Sequence, residues 1–155
     1  INGDCIGGGL EIAARCDLRI AAAGSRFGIP VARLAMAAPP EAVEGLVDLI
    51  GLDRALSLLL EARLIDTEEA ARIGLVTRVV PAPDFVAEID ATVSRIAAGG
   101  PLAARAHKRV ARARAGHGAM PQDAIDQAYA CIASADFRAG IAAFLAKRKP
   151  VFEGQ

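Results

Sequence analysis

Helical spacing of apolar residues dominates the chain. Behind the glycine run Gly7-Gly8-Gly9, Leu10, Ala13 and Ala14 share one face of a segment that reaches Cys16 and stops at Asp17, predicting a helix of about two turns. Leu18 to Ala23 fits a short buried strand, and Ser25-Arg26-Phe27-Gly28-Ile29-Pro30 reads as a loop because Gly and Pro fall within a few residues of each other. Pro39-Pro40-Glu41 is a good helix start, with proline in the first turn and an acid at the positive end, and that helix is expected to run to Gly51. Leu56, Leu59 and Leu60 carry helical spacing through Leu52 to Ala62. Asp66-Thr67-Glu68-Glu69 resembles a capped helix N-terminus, closed downstream by Gly74, and Leu75 to Val80 alternates as a strand that Pro81 ends. From Asp84 onward four helices follow, over Phe85 to Ala97, Pro101 to Ala115, Pro121 to Ser134 and Asp136 to Lys147. The opening Ile1-Asn2-Gly3-Asp4 looks like a strand end entering a turn, as though the chain began in mid-fold.

Composition narrows the function classes. The 155 residues are 54% hydrophobic and 23% charged, a globular balance able to bury roughly two-thirds of the unfolded surface. Lys+Arg and Asp+Glu are equal at 18 each, so no net field draws the chain to nucleic acid or an anionic membrane. Aromatic residues, at 4%, supply few stacking platforms for bases. Cys5, Cys16 and Cys131 are odd in number and lack a C-x-x-C pair, which points to reduced thiols in a cytoplasmic setting and to neither disulfide nor metal site. No apolar run approaches the roughly 18 residues that a membrane span requires.

The chemistry-bearing stretch is Asn2-Gly3-Asp4-Cys5-Ile6-Gly7-Gly8-Gly9-Leu10-Glu11-Ile12-Ala13. A glycine run entering a helix presents outward N–H groups with the helix dipole behind them, suiting either a developing oxyanion or a phosphate. The phosphate reading is weakened because no Lys-Ser/Thr of a P-loop follows and position 12 is Ile where G-x-G-x-x-G requires Gly. Close helix packing that tolerates no Cβ explains the same glycines equally well. Glu11, in the first turn, is favourable there on electrostatic grounds alone. His107 and His117 have no Ser or Cys partner in a recognised arrangement, and both are expected at the surface, as is the basic cluster Arg105, Lys108, Arg109, Arg112 and Arg114. Cys5 and Cys16 read as small packing residues.

These motifs, together with Cys16-Asp17-Leu18-Arg19-Ile20-Ala21, Phe27-Gly28-Ile29-Pro30, Gly51-Leu52-Asp53-Arg54-Ala55, the run from Glu68 to Pro81 and the tail Phe144 to Phe152, make the sequence resemble the enoyl-CoA hydratase/isomerase (crotonase) superfamily. The resemblance implies an α/β fold, a crotonase-like ββα spiral over residues 1–81 that is incomplete at its N-terminus, followed by a helical trimerisation region over 82–155. It implies an acyl-CoA thioester substrate and a homotrimer or hexamer, with coenzyme A as part of the substrate and no separate cofactor or metal. One oxyanion-binding N–H maps onto Gly8, and the other is expected from a segment upstream of Ile1. Glu11 maps onto the first of two hydratase glutamates; the second would follow the loop proline, where this chain has Val31. Phe144 and Lys147 match residues near the nucleotide end of CoA, with a core anchor and a solvated helix-end cation as the plainer alternatives. Glu41 and Glu44 are expected as solvated first-turn acids. The leading expectation is hydration of a 2-enoyl-CoA. The alternatives are isomerisation or another reaction needing one acid/base group, and a non-catalytic remnant or assembly module. Part of the apolar content should then cover surfaces that meet other strands or subunits.

Overall fold

Residues 1–115 and 119–155 are described by the computed structural model, so His117 lies outside the described residues. The local signals place most helices. Helix α1 spans Gly8–Ala14, α2 Pro40–Ile50 and α3 Leu52–Glu61. The Asp66 carboxylate caps α4 (Thr67–Arg72) by accepting from the Glu69 N–H at 2.8 Å. Gly74, at φ 83°, then turns the chain toward strand β4 (Arg78–Val80).

The strands are shorter than the sequence pattern suggests, and backbone pairing defines them. β1 is Cys5–Ile6, β2 Ile20–Ala22 and β3 Phe27–Gly28. β1 pairs in parallel with β3, and β2 in parallel with β4. Ile1 extends the second ladder, its N-terminal amine donating to Ile20 O at 2.7 Å and its carbonyl accepting from Ala22 N at 2.8 Å. Ile65 extends the first, exchanging two bonds with Phe27 at 2.9 and 2.8 Å. Each ladder therefore collects one short segment from three successive passes of the chain, which is how a spiral of stacked turns forms.

A register of 22 residues links the first two passes. It joins Cys5 to Phe27, the Gly3 N–H to the buried Ser25 hydroxyl at 3.0 Å, and Asp4 to Arg26 through a two-pronged ion pair at 2.9 and 2.6 Å. Leu10, Phe27, Ile29, Leu46, Leu58, Ile65 and Leu75 fill the centre of this unit. Burial of each large aliphatic or aromatic side chain stabilises by roughly 1.5–3 kcal/mol.

Residues 25–30 thus contain a strand where the sequence predicts a loop. Two residues cannot show a period, and Gly28 and Pro30 read as breakers although Arg63 and Leu64, packed beside β3, need Gly28 to be small. Pro30–Leu34 forms a short 3₁₀ turn after it.

The chain divides within helix α5 (Phe85–Ala97) into two compact units, one over Ile1–Ile89 and another over Asp90–Gln155. The second unit holds α6 (Pro101–Ala115), α7 (Gln122–Ala130), a 3₁₀ turn over Cys131–Ala133 and α8 (Ala135–Leu145). The helix predicted over Pro121 to Ser134 therefore tightens at its end. Arg109 of α6 donates to Gln127 at 2.7 Å and pairs with Asp123, fastening α6 to α7. The C-terminal tail returns over α8. Both oxygens of the buried Asp136 carboxylate accept from tail N–H groups, Glu153 at 2.8 Å and Gly154 at 2.9 Å, and Asp136 N donates to Gln155 O at 3.0 Å. Among the described residues no single helix is long and apolar enough to cross a membrane.

Candidate functional site

Gly7 sets the geometry of the glycine run. Its φ of 55° and ψ of −126° lie where only glycine sits without strain, and three hydrogen bonds hold it there. Its N–H donates to Gly28 O at 2.8 Å, while its carbonyl accepts from Leu10 N at 2.9 Å and Glu11 N at 3.1 Å. The Gly7 carbonyl therefore points into α1. In a trans peptide the N–H of the next residue points the opposite way, so the Gly8 N–H is directed out past the helix start. No carbonyl among the described residues accepts from Gly8 or Gly9.

The close-packing explanation of the glycines does not hold within this chain. A Cβ built on Gly8 or Gly9 meets nothing within 4 Å, and the same is true of Gly7. Gly7 is required by its backbone angles, whereas Gly8 and Gly9 border open space. Other glycines show what packing looks like: at Gly45 a Cβ would stand 2.8 Å from the Arg15 Nε, whose guanidinium also donates to Glu41 O and joins α1 to α2.

Glu11 stands one helical turn beyond Gly8, on the same side of α1, since residues three apart are surface neighbours. It is half-buried, and among the described residues its carboxylate has no hydrogen-bonded or ion-paired partner. Leu10 and Ala13 face the core, leaving the Gly8/Glu11 side for chemistry. An outward N–H beside a free carboxylate can hold a carbonyl oxygen that gains negative charge and move a proton at a neighbouring atom.

Other acid/base candidates are elsewhere. Val31, in the 3₁₀ turn, is half-buried and packs against the core. Glu41, in the first turn of α2, and Glu44, one turn further on, are both exposed; only Glu41 is the first-turn acid expected. Cys5 is buried, and that burial pushes its thiol pKa up, which keeps it a packing group. Cys16 departs from its expected packing role: it is exposed, with its thiol turned to Ile12 O at 3.6 Å. Among the described residues no group of His, Cys, Asp and Glu is arranged to hold a metal ion.

Phe144 and Lys147 are brought together at the end of α8. Phe144 is 78% exposed, so it is not a core anchor within this chain. The helix closes with Lys147 N donating to Phe144 O at 3.1 Å and Arg148 N to Ala143 O at 3.0 Å, the paired bonds of a Schellman ending. Lys147 occupies the left-handed position, φ 51°, that usually belongs to glycine. Ala35 and Ala62 hold the same conformation at φ 53° and 50°. His107 is exposed on α6, as are Arg105, Lys108, Arg109, Arg112 and Arg114.

Sequence reasoning missed Gly28 as a site-supporting residue. No local pattern in the sequence announces it, because its role comes from the parallel pairing of Cys5-Ile6 with Phe27-Gly28.

Comparison with known proteins follows the same lines. The family model for enoyl-CoA hydratase/isomerase matches residues 1–155. A crotonyl-CoA hydratase of Syntrophomonas wolfei is 38% identical over 160 residues, covering 98% of this chain and 59% of that protein. A short-chain-enoyl-CoA hydratase of Clostridium acetobutylicum is 33% identical, covering 96% of this chain and 58% of that protein. Among solved structures, an enoyl-CoA hydratase/carnithine racemase from Magnetospirillum magneticum superposes with a TM-score of 0.91 at 40% identity, over 99% of this chain and 57% of that one. The fold is thus the crotonase-like α/β spiral with helices following it. The chain spans about three-fifths of the length of the relatives it matches.

Proposed function

Because the chain belongs to the enoyl-CoA hydratase/isomerase family, we propose that it forms the glycine-loop part of an enzyme that adds water across the double bond of a 2-enoyl-CoA thioester. The observation that carries this reading is the outward Gly8 N–H with the unpartnered Glu11 carboxylate one turn away. Attack of water at C3 of the enoyl group moves the π electrons toward the thioester oxygen. The Gly8 N–H stabilises that oxyanion, aided by a second donor that the family resemblance puts outside these residues. Val31 cannot exchange a proton, so Glu11 serves both transfers: it takes one proton from the attacking water and delivers one to C2. The C3–O and C2–H bonds form, the double bond is lost, and the product is a 3-hydroxyacyl-CoA.

Phe144 and Lys147 are proposed to meet the nucleotide end of CoA, with the lysine beside phosphate. Residues 82–155 are proposed as the oligomerisation region of a cytoplasmic homotrimer or hexamer, in which the exposed Phe137, Ile141, Phe144 and Leu145 become covered. CoA enters and leaves with the acyl group, so no separate cofactor is required.

The test is hydration of crotonyl-CoA by the intact protein and its Glu11→Gln variant. Removal of an acid/base group is expected to cost about 10²–10⁴-fold in rate with the fold unchanged. Equal rates would refute the role of Glu11. Val31 favours one further reading, a double-bond isomerisation that needs a single acid/base group. A large gain in hydration on Val31→Glu would show that the native pocket is not that of a hydratase.

A further inference from the structure

A second component of the oxyanion geometry lies on a residue that touches no substrate. Gly28 O accepts the Gly7 N–H at 2.8 Å, among the described residues the only bond to Gly7 that comes from outside α1 and its own turn. Gly28 is itself gripped from the other side. A Cβ there would lie 2.6 Å from Arg63 O and 2.8 Å from Leu64 Cδ2, contacts that no side chain tolerates. The gripping segment is anchored at both ends. Ile65 exchanges two backbone bonds with Phe27, and Arg63 makes a bidentate pair with Glu69 at 2.8 and 2.6 Å.

We infer that Gly28 is a positioning residue for the Gly8 N–H: its missing side chain lets residues 63–65 press β3 against β1, and its carbonyl transmits that position to Gly7 and so to the Gly7–Gly8 peptide plane. This role presupposes the oxyanion function proposed for Gly8. Ordinary contact begins at 3.4 Å, so an added methyl at Gly28 forces β3 and the 63–65 segment apart by about 0.8 Å. The Gly7 N–H must follow or lose its acceptor, and the Gly8 N–H then shifts with the Gly7 Cα, which joins the two peptide planes. Displacements of about 1 Å at a reacting centre can cost on the order of 10²-fold in rate.

The experiment uses 2,4-hexadienoyl-CoA as an optical probe of the intact protein. Hydrogen bonds to its thioester oxygen polarise the conjugated system and red-shift its absorbance, so loss of shift in a variant that alters only the Gly28 side reports displacement of the Gly8 N–H. Gly28→Ala is expected to lose most of that shift and about tenfold to 100-fold in kcat for crotonyl-CoA, with KM changed far less. Retention of the full shift and of kcat by a folded Gly28→Ala overturns the inference. Where Gly28→Ala does not fold, Leu64→Ala decides. Leu64 is half-buried, and its loss removes the side-chain support behind Gly28, so a reduced shift in a folded protein supports the role and an unchanged shift overturns it. Absence of a shift in the wild-type protein would instead defeat the oxyanion reading of Gly8, and this role with it.

Discussion

Gly8→Ala and Gly28→Ala are the same chemical change with opposite expected consequences for stability. At Gly8 the added methyl meets nothing within 4 Å, and the residue opens a helix in which alanine is the better former. Stability should be unchanged or rise by up to about 1 kcal/mol, through helix propensity and a less flexible unfolded chain. At Gly28 the methyl collides with Arg63 O at 2.6 Å and Leu64 Cδ2 at 2.8 Å, one of them a backbone atom that cannot rotate away. Overpacking of this kind costs about 1–3 kcal/mol, a large part of the roughly 5–15 kcal/mol that a domain possesses. Urea unfolding followed by circular dichroism, with the slope m checked for constancy, measures both changes. Both variants should lose crotonyl-CoA hydration, Gly8→Ala through crowding beside the N–H and Gly28→Ala through displacement of it. Destabilisation of Gly8→Ala by more than about 1 kcal/mol would restore the packing explanation of the glycine run and refute the open-space account.

Three further outcomes are expected. Lys147→Gly should raise stability by about 1 kcal/mol, because glycine suits the left-handed position at φ 51°, while weakening CoA-thioester binding by calorimetric titration; unchanged binding would remove Lys147 from the site. Asp136→Asn should cost about 1–3 kcal/mol in urea unfolding, since one acceptor oxygen facing the Glu153 and Gly154 N–H groups becomes a donor. Arg63 beside Glu69 holds that carboxyl below the ordinary glutamate value of 4.5. The folded state therefore binds fewer protons than the unfolded state in acid, and the pair's stabilisation is fully present above 4.5 and lost as pH falls through the lower folded value; Glu69→Gln should abolish that part of the pH dependence of the urea midpoint.

The longer helices were legible in the sequence because they repeat their apolar spacing over several turns. The caps of α2 and α4 were legible for a related reason: Pro40, Asp66 and Gly74 act within one turn of where they stand. Strands of two or three residues carry no period, so β3 was hidden behind Gly28 and Pro30, and the contributions of Ile1 and Ile65 to the two ladders arise from backbone pairing across the spiral. Gly8 and Glu11 were legible as a pair, but whether the glycines served packing or open space depends on neighbours distant in sequence. The same holds for Phe144, whose exposure no local pattern announces. Asp136 was legible only as the first residue of a helix, because the tail N–H groups it accepts from lie 17 and 18 residues away.

The central claim is that Gly8 and Glu11 form the reacting centre of a 2-enoyl-CoA hydratase. Its most direct test follows the enoyl-thioester absorbance of crotonyl-CoA with the intact protein, wild type beside Glu11→Gln. The account predicts steady loss of that absorbance with formation of 3-hydroxybutyryl-CoA for the wild type, and a rate lower by about 10²–10⁴-fold for the variant at unchanged thermal stability. Equal rates in the two proteins, or no turnover of the thioester by the wild type, would contradict it.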